Sequence, residues 1–401
     1  MAAPVNTRGL ASSDAFRAEV RAWLEDHLTG EFAGARGLGG AGREHEAFDV
    51  RMAWNRELAK GGWTCVGWPT EHGGRALSLA DQVTFHEEYA RANAPARVGH
   101  IGEELLGPTL IAFGTPEQQR RYLPPIVAAT ELWCQGYSEP DAGSDLANVS
   151  TRAELDGEEW VISGQKVWTS NATVADHAFV LCRTEPGSRR HRGLSYLLVP
   201  MRQPGVEIRP ITQLTGTSEF NEVFFTGARA AASDVVGGVG NGWAVAMATL
   251  GFERGVSTLA QQIGFRRELE RVVERARKTG ALDDPLVRDR VVRAWVGLEV
   301  MRLHALRTLG APADSAGSLE SVRSASVAKL LWARWHRDLG ELALAVEPDG
   351  GLCAAGPPYD LTDAQRLFLF SRADTIYGGS DEVQRTILAE RVLGLPREPR
   401  P

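Results

Sequence analysis

The stretch Arg152-Ala-Glu-Leu-Asp-Gly-Glu-Glu-Trp-Val-Ile-Ser-Gly-Gln-Lys-Val167 sets the architecture. Two runs, Arg152–Leu155 and Trp160–Val167, flank Asp156-Gly157, a dipeptide suited to the positive φ of a tight hairpin. Similar short runs follow at His177–Cys182, Leu194–Val199, Val206–Arg209 and Glu222–Phe225. Turns such as Glu185-Pro-Gly-Ser and Gln203-Pro-Gly separate them. Six strand candidates in so short a span predict a small antiparallel β-barrel or sandwich.

Outward from this stretch, the apolar period is helical on both sides. Upstream, Ser12-Ser13-Asp14 caps a helix with Phe16, Val20, Trp23 and Leu24 on one stripe. Further helices are expected at Phe48–Lys60 and Leu79–Ala92, and a short capped one from Thr115 that stops at Pro124-Pro125. Downstream of Gly237–Gly242, long helices are expected at Trp243–Lys278, Pro285–Thr308, Ala325–Val346 and Thr362–Ile376, with a last one over Glu382–Leu393. The expected fold is therefore mostly α with a central β domain. An N-terminal helical domain spans 1–130, the middle β domain 131–236, and a C-terminal four-helix-bundle-like domain 237–401.

Composition narrows the function. The chain has 401 residues, 43% of them hydrophobic, with 44 Lys+Arg against 51 Asp+Glu and a net charge of −7. Mild acidity argues against a nucleic-acid binder, which carries a basic face. No apolar run reaches the ~18 residues of a membrane span, and the N-terminus lacks the layout of a secretory signal. A cytoplasmic enzyme is expected. Cys65, Cys134, Cys182 and Cys353 are too scattered for a disulfide framework and are read as buried free thiols. Histidine spacing offers no metal site. Gly37-Leu-Gly39-Gly-Ala-Gly42 spells a dinucleotide fingerprint, but a helix precedes it and no βαβ unit surrounds it, so it reads as a loop. Gly237–Gly242 lacks the Lys-Ser/Thr of a phosphate-binding loop and reads as a hinge.

Two segments carry chemistry: Trp133-Cys-Gln-Gly-Tyr-Ser-Glu-Pro-Asp-Ala-Gly-Ser-Asp-Leu146 with Gly164-Gln-Lys-Val-Trp-Thr-Ser-Asn171, and Ile376-Tyr-Gly-Gly-Ser-Asp-Glu-Val-Gln-Arg-Thr-Ile-Leu388. Together they resemble the acyl-CoA dehydrogenase family. Gly67-Trp-Pro-Thr-Glu-His-Gly-Gly74, Glu87-Glu-Tyr-Ala-Arg91 and Tyr122-Leu-Pro-Pro125 fit in order, so the resemblance spans nearly the whole chain. It implies a helical domain, a β domain and a helical bundle holding FAD. It also implies oxidation of an acyl-CoA to its 2,3-enoyl-CoA, with a base taking the proton beside the thioester and hydride passing to flavin N5.

Carried onto this sequence, the resemblance implies that Gln135, Tyr137, Ser138, Gly143, Ser144, Trp168, Thr169 and Ser170 contact the cofactor. Ser138 stands where the family has Thr, facing the pyrimidine edge; Trp168 packs beside the isoalloxazine, and Ser170 bonds near N5. Ser144 also lies near the pantetheine, Arg254 and Tyr377 near the substrate, and Ser380 and Glu382 near the cofactor. Many members carry their catalytic Glu directly after the Tyr of I-Y-E-G-T, where this chain has Gly378. A subgroup including the isovaleryl and long-chain enzymes takes its base from an E-R pair, and Leu250-Gly-Phe-Glu253-Arg254 matches it. The expected base is Glu253, with the N–H of Gly378 receiving the thioester oxygen. Gly378 also suggests room for branched, ring-bearing or bulky acyl groups.

Two further departures concern the adenosine half of FAD. The family's R-x-x-F appears as Arg277-Lys-Thr-Gly280, and its glutamine-and-glycine segment as Ala343-Leu-Ala-Val-Glu-Pro-Asp-Gly-Gly351. These leave a heterotetramer open beside the usual homotetramer. The expected electron acceptor is an electron-transfer flavoprotein. The alternatives are a flavin monooxygenase or oxidase on the same fold, and a non-catalytic subunit of a heteromeric dehydrogenase.

Overall fold

A computed structural model of the chain describes residues 14–40, 42–252, 257–309, 319–353, 355–356 and 360–397. Among these residues the α-helices α1 (Asp14–His27), α2 (Gly30–Gly34), α3 (Phe48–Lys60), α4 (Leu79–Arg91), α5 (Gly107–Phe113) and α6 (Pro116–Val127) come first, with a π-helical turn over Ile101–Leu106 leading into α5. The stripe of α1 buries Val20 and Leu24 as its spacing predicts; its expected cap at Ser12 and Ser13 lies outside the described residues. These side chains pack with Trp54, Leu58, Trp63 and Phe85, and the rings of Trp63 and Phe85 stack at 5.4 Å. Thr115 and Gln118 form a capping box at the start of α6. The expected stop at Pro124-Pro125 is corrected, because the helix runs through both prolines to Val127. Burial of Leu123 and Ile126 in the core shared with the sheet outweighs the helical hydrogen bonds that the prolines cannot donate.

Eight strands follow: β1 (Trp133–Gly136), β2 (Arg152–Asp156), β3 (Glu159–Ser170), β4 (His177–Arg183), β5 (Leu194–Pro200), β6 (Val206–Ile211), β7 (Phe220–Ala231) and β8 (Val235–Val236). They form a sheet in the order β6-β7-β3-β2-β4-β5-β8, with β1 beside β4. The expected hairpin closes with Asp156 opposite Glu159, leaving Gly157-Glu158 as the turn and Gly157 at φ 65°. The sheet is not a closed barrel, and it is mixed where a wholly antiparallel one was expected. β1 runs parallel to β4 from Trp133↔His177 to Gly136↔Val180. The reason is that β1 enters from a helix, not from a hairpin, which leaves its direction unconstrained.

Strands β4 and β5 are buried along nearly their whole length because both faces are covered, so they read as continuous apolar runs. Phe179, Leu181, Tyr196 and Leu198 join Leu106, Leu110 and Val245 from the flanking helices. Their neighbours Val180, Cys182, Leu197 and Val199 meet Trp160, Ile162, Val223 and Phe225 across a second core within the sheet domain.

The C-terminal helices are α7 (Gly242–Phe252), α8 (Ser257–Thr279), α9 (Pro285–Leu309), α10 (Leu319–Ala345), α11 (Asp363–Ser371) and α12 (Asp381–Ile387). The range expected as one helix over Trp243–Lys278 is covered by α7 and α8, on either side of residues outside the described set. Phe265, Leu269, Leu298, Met301, Trp335 and Leu339 build the bundle core. A buried contact of 2.9 Å between the hydroxyls of Thr109 and Thr249 joins α5 to α7. Cys65, Cys134 and Cys182 are buried free thiols, whereas Cys353 is exposed, in a turn closed by Asp349. Among the described residues no helix is long and apolar enough to cross a membrane.

The Phe179 and Tyr196 rings stack at 5.4 Å between sheet and helices. Phe179→Ala is expected to cost about 3–5 kcal/mol through lost burial and the cavity left behind, measured as a lower urea midpoint.

Candidate active site

The first cluster is built by the end of β3. Pairing of β3 with β7 is interrupted between Lys166 and Thr169, and within this bulge Trp168 takes φ 59°. A bulge re-aims the side chains it displaces. Trp168 turns outward, 58% exposed, with its edge against Phe220 at 6.2 Å. Buried Asn221 donates to the Thr169 carbonyl at 3.0 Å and so holds the bulge in place. Val167 N–H donates to the Ser138 carbonyl at 2.9 Å, which brings the Ser138 and Trp168–Ser170 segments together. Glu139 and Ala142 close a tight turn through reciprocal backbone hydrogen bonds of 3.1 and 3.0 Å, leaving Gly143 and Ser144 exposed beyond it.

Beneath this surface lies a group that the sequence reading passed over. Lys166 is fully buried and donates to the Tyr137 carbonyl at 3.0 Å, to Glu139 Oε1 at 2.8 Å and to the Leu181 carbonyl at 2.7 Å. Glu139 in turn accepts from Ser150 N–H at 2.6 Å and from Thr151 N–H at 2.9 Å. Burial pushes the Glu139 carboxyl up, but the ammonium and the hydrogen bonds prevail and hold it at about 2. Burial likewise pulls the Lys166 ammonium down, against the attraction of Glu139. Lys166 falls in phase with the buried Trp160 and Ile162 along β3. A charge at an inward position of a strand was the signal that could have found it.

The second cluster surrounds the turn after α11. Gly378 and Gly379 take φ 63° and 90° in succession, conformations open to glycine. A Cβ at Gly378 would meet nothing nearer than Lys329 Cε at 3.9 Å, while one at Gly379 would collide with Gln384. The Tyr377 hydroxyl donates to Asp374 Oδ1 at 2.7 Å. Ser380 serves as the N-cap of α12, accepting from Val383 N–H at 3.3 Å. Asp381 is buried and paired with Arg334 at 2.9 Å and Arg385 at 3.2 Å. Glu382 faces solvent and lies 3.7 Å from Arg385.

Of the expected site residues, Ser138 and Trp168–Ser170 are thus brought together by the Val167–Ser138 backbone bond, with Gln135 on β1 and Gly143 and Ser144 exposed beyond the next turn. Tyr377, Gly378, Ser380 and Glu382 share one turn. Tyr137 points inward, its ring edge-on to Phe179 at 5.8 Å and to Tyr196 at 6.2 Å, so toward a ligand it offers only its backbone. Arg277 is exposed in the last turn of α8, beside Glu274, and joins neither cluster. Glu253 and Arg254 lie outside the described residues.

A helical domain, a β domain and a helical bundle, with a bulge bearing the exposed Trp168 on the sheet and a double-glycine turn on the bundle, define a three-domain α-β-α class of protein. Comparison with known proteins sharpens this. The N-terminal, middle and C-terminal domain profiles of acyl-CoA dehydrogenases match residues 11–130, 134–228 and 240–393. The acyl-CoA dehydrogenase IpdE1 of Mycobacterium tuberculosis is 65% identical over 383 residues, covering 96% of this chain and 98% of that protein. Among solved structures, the Tcur3481-Tcur3483 steroid ACAD superposes with a TM-score of 0.81 at 32% identity, covering 97% of this chain and all of that one. The ChsE4-ChsE5 complex of Mycobacterium tuberculosis gives a TM-score of 0.78 at 29% identity, covering 97% and 99%. The chain belongs to the acyl-CoA dehydrogenase family of oxidoreductases.

The family's cofactor is FAD, and the first cluster fits its ring. Thr169 Oγ1 is buried with no hydrogen-bond partner among the described residues, next in sequence to the exposed indole of Trp168, and at Gly143 a Cβ would meet nothing within 4 Å. A planar, polar-edged heterocycle answers both needs at once.

Lys166→Met leaves Glu139 a buried carboxylate without its counter-charge, and a loss of about 3–5 kcal/mol is expected, read by denaturant unfolding. The wild-type clamp has a definite pH sign. Because Glu139 sits below the ordinary carboxylate value of about 4.3, its contribution is full above that value. It is lost as pH falls towards about 2, which an acid titration of wild type will register.

Proposed function

We propose that this chain dehydrogenates a bulky, ring-bearing acyl-CoA between Cα and Cβ, with Glu253 as the base and the Gly378 N–H as a donor to the thioester oxygen. One observation carries the reading: the position that holds the base in many relatives has no side chain, and the space beside it is open as far as Lys329. The neighbouring acids are paired or turned to solvent. Asp374 binds Tyr377 and His336, Asp381 is held by two arginines, and Glu382 faces water. The proton must therefore go elsewhere, and the E-R pair at 253–254 supplies the carboxylate. In a dry pocket such a group is pushed up towards the working pH range. Bound FAD supplies the two-electron oxidant for the hydride leaving Cβ. The steroid substrate class named for one structural relative agrees with the room left at Gly378.

The same reading extends to assembly. α9 leaves Val292, Trp295, Val296, Val300 and Leu303 exposed along one stripe, an apolar face of the kind that marks an interface. The relatives include a complex of two chains, and Arg277 joins no cluster of its own chain. A hetero-oligomer with a related second subunit, passing electrons to an electron-transfer flavoprotein, accommodates these facts. The four free thiols agree with a cytoplasmic setting.

Anaerobic titration of the purified flavoprotein with an acyl-CoA panel tests the chemistry. Flavin bleaching is expected with 3-cyclohexylpropanoyl-CoA and larger ring-bearing thioesters; activity confined to butyryl-CoA counts against the reading. Glu253→Gln should retain FAD and acyl-CoA while losing at least ~10³-fold in reduction rate, and full reduction by that variant sinks the assignment. Val296→Arg should convert the assembly to smaller species in sedimentation velocity, because it buries an unpaired charge at the interface.

A further inference from the structure

Behind the double-glycine turn lies a connected run of polar groups, with His336, Asp374 and Lys329 buried, that has no role in the chemistry above. Glu268 on α8 meets His336 Nε2 on α10 at 2.8 Å, and His336 Nδ1 meets Asp374 Oδ2 at 2.5 Å. Asp374 Oδ1 accepts the Tyr377 hydroxyl at 2.7 Å. Lys329 donates to the Asp374 carbonyl, with its ammonium 4.0 Å from the centre of the Trp332 ring and 4.8 Å from that of Tyr377. Asp374, at 1% exposure, is thus gripped at both carboxylate oxygens and at its backbone. The His336 ring stacks on Phe265 at 4.4 Å.

This grip bears on the turn through chain geometry. The N–H groups of Ile376 and Tyr377 both donate to the Ala373 carbonyl, at 2.8 and 3.1 Å, so the backbone from Asp374 to Tyr377 has little slack. Immediately afterwards come two glycines in left-handed conformations, the residues with the most backbone freedom. Having no side chains, they cannot anchor themselves. The direction of the Gly378 N–H is set by what holds its flanks: the Tyr377 hydroxyl on one side and the Ser380 cap on the other.

We propose that His336 is a positioning residue for the dehydrogenation: through Asp374 and Tyr377 it fixes the Gly378 N–H toward the thioester oxygen. The inference rests on the reaction proposed above. His336 is suited to the task because it remains an imidazolium. Burial pulls the ring down, but its hydrogen bonds to the Asp374 and Glu268 carboxylates prevail and lift it to about 9. The groups that face this run are Glu268 from α8, Lys329 from α10, and Asp374 and Tyr377 from the turn. Raised above the ordinary histidine value of about 6.5, the imidazolium is present at neutral pH and is lost as pH climbs through about 9.

A double-mutant cycle on the FAD-loaded assembly tests this, with stopped-flow flavin reduction by 3-cyclohexylpropanoyl-CoA as the readout. Tyr377→Phe and His336→Gln should each lower the limiting reduction rate about tenfold, the scale of a displaced donor. The apparent Kd should stay within about twofold, and the double variant should be no slower than the slower single one. The wild-type rate should also fall above pH about 9, a limb that Tyr377→Phe flattens. Additive losses, or variants that lose only thermal stability while reducing at the wild-type rate, overturn the proposal. Should His336→Gln fail to fold, Tyr377→Phe decides alone: an unchanged rate and an unchanged alkaline limb refute it. A wild type that no acyl-CoA bleaches overturns both readings, whereas a bleaching wild type with additive variants overturns only this one.

Discussion

The contact on which the site depends is the buried ion pair of Lys166 and Glu139, 2.8 Å apart. Removing two charges from water is expensive, and such a pair contributes only if its remaining hydrogen-bonding capacity is filled. Here it is filled: the ammonium has two carbonyls besides the carboxylate, and the carboxylate has two backbone N–H groups besides the ammonium. The partners come from β3, β4 and the segments around β1 and β2. One side chain therefore ties together the pieces that carry Ser138 and Trp168, and the chain continuing from β1 can leave the sheet and still be held.

The two core faces of β4 and β5 explain why that edge is rigid. One face is sealed by helices α5 and α7 and the other by β3 and β7, so neither strand can shift without opening a cavity on both sides. A left-handed tryptophan is costly, and it persists at Trp168 because Asn221 and the paired β7 hold the backbone on either side of it. The bundle takes the opposite approach. Its double-glycine turn carries no side chain of its own, and buried acids and bases behind it supply the order.

How much of this was legible in the sequence differs between the two regions. Phe48–Lys60 was expected as a helix and is α3 to the residue; the expected hairpin forms, with its turn at Gly157-Glu158, one residue beyond the Asp156-Gly157 dipeptide. β1 and β8 escaped notice because runs of four and two residues carry no readable period. Pro124 and Pro125 misled because tertiary burial of Leu123 and Ile126 overrides a local rule. Of the expected ligand-facing residues, Ser138 and the Trp168–Ser170 segment lie together through the Val167–Ser138 backbone bond. Glu139 and Lys166 lay inside the same quoted segments without their pairing being visible.

Sequence alone determined the order of helical, sheet and helical regions, the turns, and the loss of a carboxylate at position 378, since each of these is a matter of local pattern or residue identity. Tertiary structure alone decided the mixed direction of the sheet, the outward turn of Trp168, and the clustering of Glu268, His336 and Asp374. Those three residues stand 68 and 38 positions apart along the chain. A buried charge is tolerated only where its partner arrives, and that partner is brought by packing of whole elements, which no neighbouring residue encodes.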